Sequence, residues 1–92
     1  MTRQFRGGSG RAMRNERKYP YIVELRVRAG ELDIALIRRI MEFHKARQIQ
    51  PRHGRTMLKE RRTYYRWCFF DLVVARAFAE EFGGELEEYE NC

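Results

Sequence analysis

The sequence predicts an α+β fold in which one antiparallel sheet carries two helices on a single face. Three observations predict it. Residues 62–71 read Arg-Thr-Tyr-Tyr-Arg-Trp-Cys-Phe-Phe-Asp, an aromatic-rich strand running into an acid placed to start a helix. Residues 72–82 then carry apolar side chains at helical spacing and stop on Gly83-Gly84. Residues 20–48 hold an alternating strand followed by an amphipathic helix, so a strand–helix unit occurs twice.

Taken in order, residues 1–18 read as a disordered basic arm. Gly7, Gly8, Ser9 and Gly10 cluster there among arginines, and Phe5 and Met13 are its only sizeable apolar residues. Pro20 opens the first strand, where a missing N–H is tolerated. Tyr21, Val23, Leu25 and Val27 alternate with Ile22, Glu24, Arg26 and Arg28, giving one apolar and one largely charged face. After the break at Ala29-Gly30, a helix is expected over residues 31–48. Leu32, Leu36, Ile40 and Phe43 form its stripe, widened by Ile37 and His44. Glu31 and Asp33 in its first turn and Lys45 and Arg47 in its last suit the helix dipole, and Pro51 ends it.

Arg52-His53-Gly54 reads as a turn and residues 55–59 as a short strand. Glu60-Arg61 makes the tip of a hairpin leading into residues 62–70, without the Asn-Gly or Asp-Gly that marks the tightest turns. Asp71 is placed to cap the second helix, whose buried stripe is Val74, Ala75, Phe78 and Phe82, and Gly83 supplies a left-handed C-cap. Residues 85–90 can form a short acidic edge strand anchored by Leu86.

Strand, helix, strand, strand, helix, strand is the order of a ferredoxin-like βαββαβ sandwich, with both helices on one face and the other face open. Residues 19–92 form this single domain. With Tyr21, Val23, Leu25 and Val27 inward, Ile22, Glu24, Arg26 and Arg28 face out. On the long strand Tyr65, Trp67 and Phe69 face in, and Arg62, Tyr64, Arg66 and Cys68 face out.

The net charge of +6 is unevenly spread. Residues 1–20 hold six bases and one acid, residues 21–70 twelve and five, and residues 71–92 one and seven. A basic body of this kind attracts polyanions or acidic protein surfaces. Cys68 and Cys92 are not placed to pair, which fits a reduced, cytoplasmic setting. No apolar signal region follows the first basic residues, and no apolar run is long enough to span a bilayer.

Catalytic chemistry finds little support. His44 borders an apolar stripe, His53 sits in a turn, and Cys68 has no base supplied by any motif. The sequence lacks the closely spaced Cys and His of a metal site, and Gly83-Gly84 follows a helix rather than opening one. No catalytic residue, metal, cofactor or small-molecule substrate is expected.

Phosphate binding needs clustered Lys and Arg, and single strands also need aromatic faces for stacking. Arg26, Arg28, Arg62, Tyr64 and Arg66 on the open sheet face offer both, with Arg52, Arg55, Lys59 and Arg61 as a basic rim. In layout the chain is similar to RNA recognition motifs. Against their central strand Arg62, Tyr64 and Phe69 match, whereas Thr63, Tyr65, Arg66 and Trp67 depart. The similarity is one of layout and carries no residue roles. The expectation is a non-catalytic module whose basic sheet face binds nucleic acid, single strands favoured. The alternative is a protein-interaction or homodimeric module, such as a phage-type inhibitor or adaptor of a larger protein.

Overall fold

The computed structural model describes residues 8–27 and 34–89. In chain order the elements are α1 (Gly8–Lys18), β1 (Tyr21–Val27), α2 (Ile34–Ala46), β2 (Met57–Lys59), β3 (Arg62–Phe69), α3 (Leu72–Phe82) and β4 (Glu85–Glu88). The four strands form one antiparallel sheet in the order β2-β3-β1-β4. From β1 onward this is the expected α+β order, with the two strand–helix units interleaved as in ferredoxin-like domains. The departure is α1, which lies in the segment expected to be a disordered arm. Its glycines fall in the first turn, and the remainder, Arg11 to Lys18, is rich in good helix formers.

The core lies between the sheet and the pair α2 and α3. Val23 and Leu25 from β1, Trp67 and Phe69 from β3, Ile40 and Phe43 from α2, and Ala75 and Phe78 from α3 make one buried cluster. The β1–β3 register sets Val23 opposite Trp67 and Tyr21 opposite Phe69, so the apolar face is continuous across both central strands. Phe78 is its hub. Its ring centroid lies 5.1 Å from Phe43, 5.0 Å from Phe69 and 4.7 Å from Phe82. The ends of α3 follow the sequence. Asp71 accepts a hydrogen bond from the Val73 N–H at 2.8 Å, and Gly83, at φ 74°, donates its N–H to the Ala79 carbonyl.

Three local readings change. Described α2 ends at Ala46, short of residue 48, because Gln48 turns left-handed (φ 57°) and the Ile49 N–H returns to the His44 carbonyl. Ile37 is displaced to the exposed side of α2, and Leu32 lies outside the described residues. The expected turn at residues 52–54 instead runs extended beside β3. His53 bridges Trp67, the Gly54 N–H bonds to the Arg66 carbonyl, and the Cys68 N–H bonds to that of Arg52.

At the hairpin tip Glu60 and Arg61 both have positive φ, 50° and 68°, the pattern of a type I′ turn made without glycine. Each residue held there costs roughly 1 kcal/mol or more. Replacing the pair by Asn-Gly (Glu60→Asn with Arg61→Gly) should therefore stabilise the fold by about 1 kcal/mol, a rise in Tm of roughly 4–8 °C. An unchanged or lowered Tm in thermal denaturation would count against a strained tip.

Candidate functional site

The sheet face turned away from α2 and α3 was expected to be open and basic. Its centre is closed by charge. Arg66, its side chain only 12% exposed, donates from Nε to Glu24 Oε2 at 3.0 Å. Its Nη1 reaches Glu16 Oε1 at 3.1 Å and its Nη2 reaches Glu87 Oε1 at 3.5 Å. Glu16, from α1, has no exposed surface. It also takes the Arg55 backbone N–H at 2.6 Å and the Arg55 guanidinium at 2.9 Å. Lys59 Nζ completes the group, 3.3 Å from Glu24.

Three acids and three bases thus form one network across the sheet, and α1 is bound to that face through it. The expected outward residues Ile22, Glu24 and Cys68 are buried. The strand expected over residues 55–59 is also shorter: β2 covers only Met57–Lys59, and the Arg55 N–H goes to the Glu16 carboxylate instead of to a neighbouring strand. Gly54 permits the close approach. A Cβ there would stand 2.7 Å from Glu16 Oε2 and 3.0 Å from Arg66 Cβ.

The five residues expected to share a nucleic-acid face do not remain together. Arg66 is held in the network. Arg26 and Arg62 are exposed, and Tyr64 is half-buried with Lys59 Nζ 4.8 Å from its ring centre. Arg28 lies outside the described residues. The hollow beside Arg26 and Tyr64 is also lined by Glu24, Glu85 and Glu87, so its charge is mixed. Burial pushes the Glu87 carboxyl up, helped by the charge of Glu24.

The concentration of unneutralised positive charge lies elsewhere. A groove of about 560 Å³ runs between α1 and residues 51–54. Arg11, Arg14 and Lys18 enter it from α1 at the i, i+3, i+7 spacing of one helix face, and Arg52 faces them from the sheet side. Among the described residues no carboxylate lines it. Among the described residues the ion pairs use other cations. The Tyr19 ring lies in the same groove, with Arg52 5.0 Å and Lys18 5.8 Å from its centre. Asn15 Nδ2 donates to the His53 carbonyl at 2.8 Å, fixing the two walls.

Sequence reasoning missed α1 and with it this groove. A signal was present: Ala12, Asn15, Glu16 and Tyr19 recur at i, i+3, i+4, i+7, and all four are buried or half-buried. Because that stripe is mostly polar, it does not register as hydrophobic periodicity.

Desolvation shifts the described thiol and both histidines. Burial pushes the Cys68 thiol up to about 12, far from a thiolate at neutral pH. His44 is enclosed in the core, its Nδ1–H donating to the Ile40 carbonyl at 2.8 Å. His53 is an exposed residue, and the desolvation its ring meets against Trp67, 4.1 Å away, holds it below its ordinary value as well. Among the described residues neither histidine is hydrogen-bonded to a carboxylate. No family model, curated protein or solved structure matches the chain at a significant level.

Two predictions follow from the buried charges. Glu16→Ala leaves Arg66 and Arg55 short of a partner and should cost about 3 kcal/mol. Amide exchange in α1 should rise more than in β1 and β3, and equal exchange throughout would refute the linkage of α1 to the sheet through Glu16.

The second concerns pH. Burial lowers His44 below 6.5, opposed by its bond to Ile40, so the unfolded chain takes up that proton first. Its contribution is whole above about pH 6.5 and is lost as pH falls toward the folded value, by up to about 1.4 kcal/mol per unit. Glu16 acts lower. Burial alone would raise it, but the Arg55 hydrogen bonds and the Arg66 charge outweigh burial, leaving it below 4.5. Its contribution is whole above about pH 4.5 and is lost below. Denaturant melts should weaken from about pH 6.5 downward, and His44→Leu should flatten that slope at pH values above the range where Glu16 titrates. His53, also lowered, keeps a remainder. An unaltered slope in the variant would place His44 in contact with solvent.

Proposed function

We propose that this protein is a small non-catalytic module that binds nucleic acid through the groove between α1 and residues 51–54. The observation that carries the reading is the meeting of Arg11, Arg14, Lys18 and Arg52 around one hollow with no carboxylate in its lining. Guanidinium groups pair with phosphate oxygens through paired N–H donors, and a row of them follows a phosphate backbone. The net charge of +6 draws such a polymer to the surface. A cytoplasmic setting suits this reading, since Cys68 is a buried free thiol. No described helix is long and apolar enough to cross a membrane.

A second reading rests on a separate observation. Phe70 and Val73, on either side of the start of α3, are 75% and 72% exposed. Apolar side chains so placed suit a protein partner or a second copy.

Fluorescence anisotropy with labelled oligonucleotides, titrated with salt, tests the first reading. Wild-type protein should bind at low ionic strength, with affinity falling linearly in log salt. Arg14→Glu should weaken binding and lower the salt slope by about one phosphate contact, with an unchanged melting curve. Absence of salt-sensitive binding by the wild type would refute the reading, and a dimer in the same buffer would favour the second.

A further inference from the structure

We infer that the basic groove continues into a pocket for one unpaired base, so that the site takes single-stranded nucleic acid in preference to duplex. The inference rests on the nucleic-acid reading above and adds to it where the base goes. A second hollow of about 450 Å³ adjoins the groove, and Tyr19 and Arg52 line both. On its far side are Phe69, Phe70, Ile49 and Val74. Phe70 follows the last residue of β3 and is 75% exposed, and its ring meets that of Tyr19 edge-on at 6.5 Å. The side chain is thus held beside a neighbour while most of its surface stays exposed.

The two hollows differ in character and share a wall. One is lined largely by cations, the other mainly by aromatic and aliphatic side chains, with Arg47, Gln50 and Asp71 also in its lining; the Asp71 carboxylate is already engaged by the Val73 N–H. Arg52, over the Tyr19 ring, stands where they join. A nucleotide is divided the same way, with charge at the phosphate and a flat apolar face at the base. A chain of phosphates in the groove brings the base attached to one of them to the mouth of the pocket. In a duplex each base face is already stacked and paired, so only an unpaired base can stack on Phe70. Continuity with the cationic groove is what selects this occupant over an apolar peptide or a second copy.

The test compares three probes of equal length by anisotropy: a single strand, the same strand with abasic residues throughout, and a duplex. Wild-type protein should bind the base-bearing single strand most tightly. Phe70→Ala should weaken that binding about five- to hundredfold, the worth of one stacked base, and leave the abasic strand unchanged. Because Phe70 is exposed, its Tm should stay within a few degrees of wild type. Arg14→Glu should weaken binding of the single strand and the abasic strand alike. Equal wild-type affinity for single and abasic strands, or Phe70→Ala acting on both or neither, would overturn the base pocket while leaving the cationic groove in place. Absence of binding to every probe would overturn both. A dimer dissociated by Phe70→Ala, with oligonucleotide binding unchanged, would also overturn the pocket and assign it to a second copy.

Discussion

The buried carboxylate of Glu16 is the constraint on which the rest of this structure depends. A charge with no exposed surface is tolerated only when its oxygens are occupied by cationic or N–H donors. Glu16 meets that condition with the Arg55 backbone and guanidinium and with Arg66. Arg66 is brought within reach by the β1–β3 register, which sets it opposite Glu24. Glu24 and Glu87 then occupy the remaining Arg66 donors. Networks of this kind are weak contributors to stability compared with apolar packing. What they impose is geometry, since a shift of α1 or of the 52–55 segment would leave a buried charge unpaired.

That geometry divides the molecule. On one side of the sheet, the apolar core around Phe78 supplies the hydrophobic stabilisation. On the other side, α1 is held by polar contacts, and its cations are aimed at Arg52. The arginine in the middle of the sheet is spent on structure, and four cations from α1 and the segment opposite are gathered in one groove instead. Two parts of the chain separated by more than thirty residues are therefore needed to form one cationic groove.

Much of the fold was legible in the sequence because the helices facing the core obey simple periodicity. Ile40 and Phe43 on α2, and Val74, Phe78 and Phe82 on α3, recur at helical spacing, while Val23 and Leu25 on β1 and Trp67 and Phe69 on β3 alternate. Asp71 and Gly83 mark the ends of α3 with the residues that the backbone geometry requires. The site was not legible, for a related reason. Strand alternation correctly turns Arg66 away from the core, but facing away from one core does not imply facing water. What covers that face is a helix whose inner stripe is Ala12, Asn15, Glu16 and Tyr19. Hydrophobic patterning is blind to such a stripe, and the glycines before it suggest a flexible arm. A lone acid among arginines, Glu16, was the available sign that one position there needs a buried partner.

On the proposed reading, the same arrangement would couple folding to binding. The walls of the groove are α1 and residues 51–54, and both are fixed by contacts of Glu16 and of its neighbour Asn15. An anion held by Arg11, Arg14, Lys18 and Arg52 would bridge those walls a second time. It would also relieve the mutual repulsion of four cations gathered without a carboxylate among them. A ligand that binds only the assembled groove stabilises it in proportion to its concentration over its dissociation constant. The cost of collecting like charges on a polar, weakly packed helix is thereby offset only when the partner is present. On the proposed reading, α1 would then be the element whose stability responds most to a polyanion.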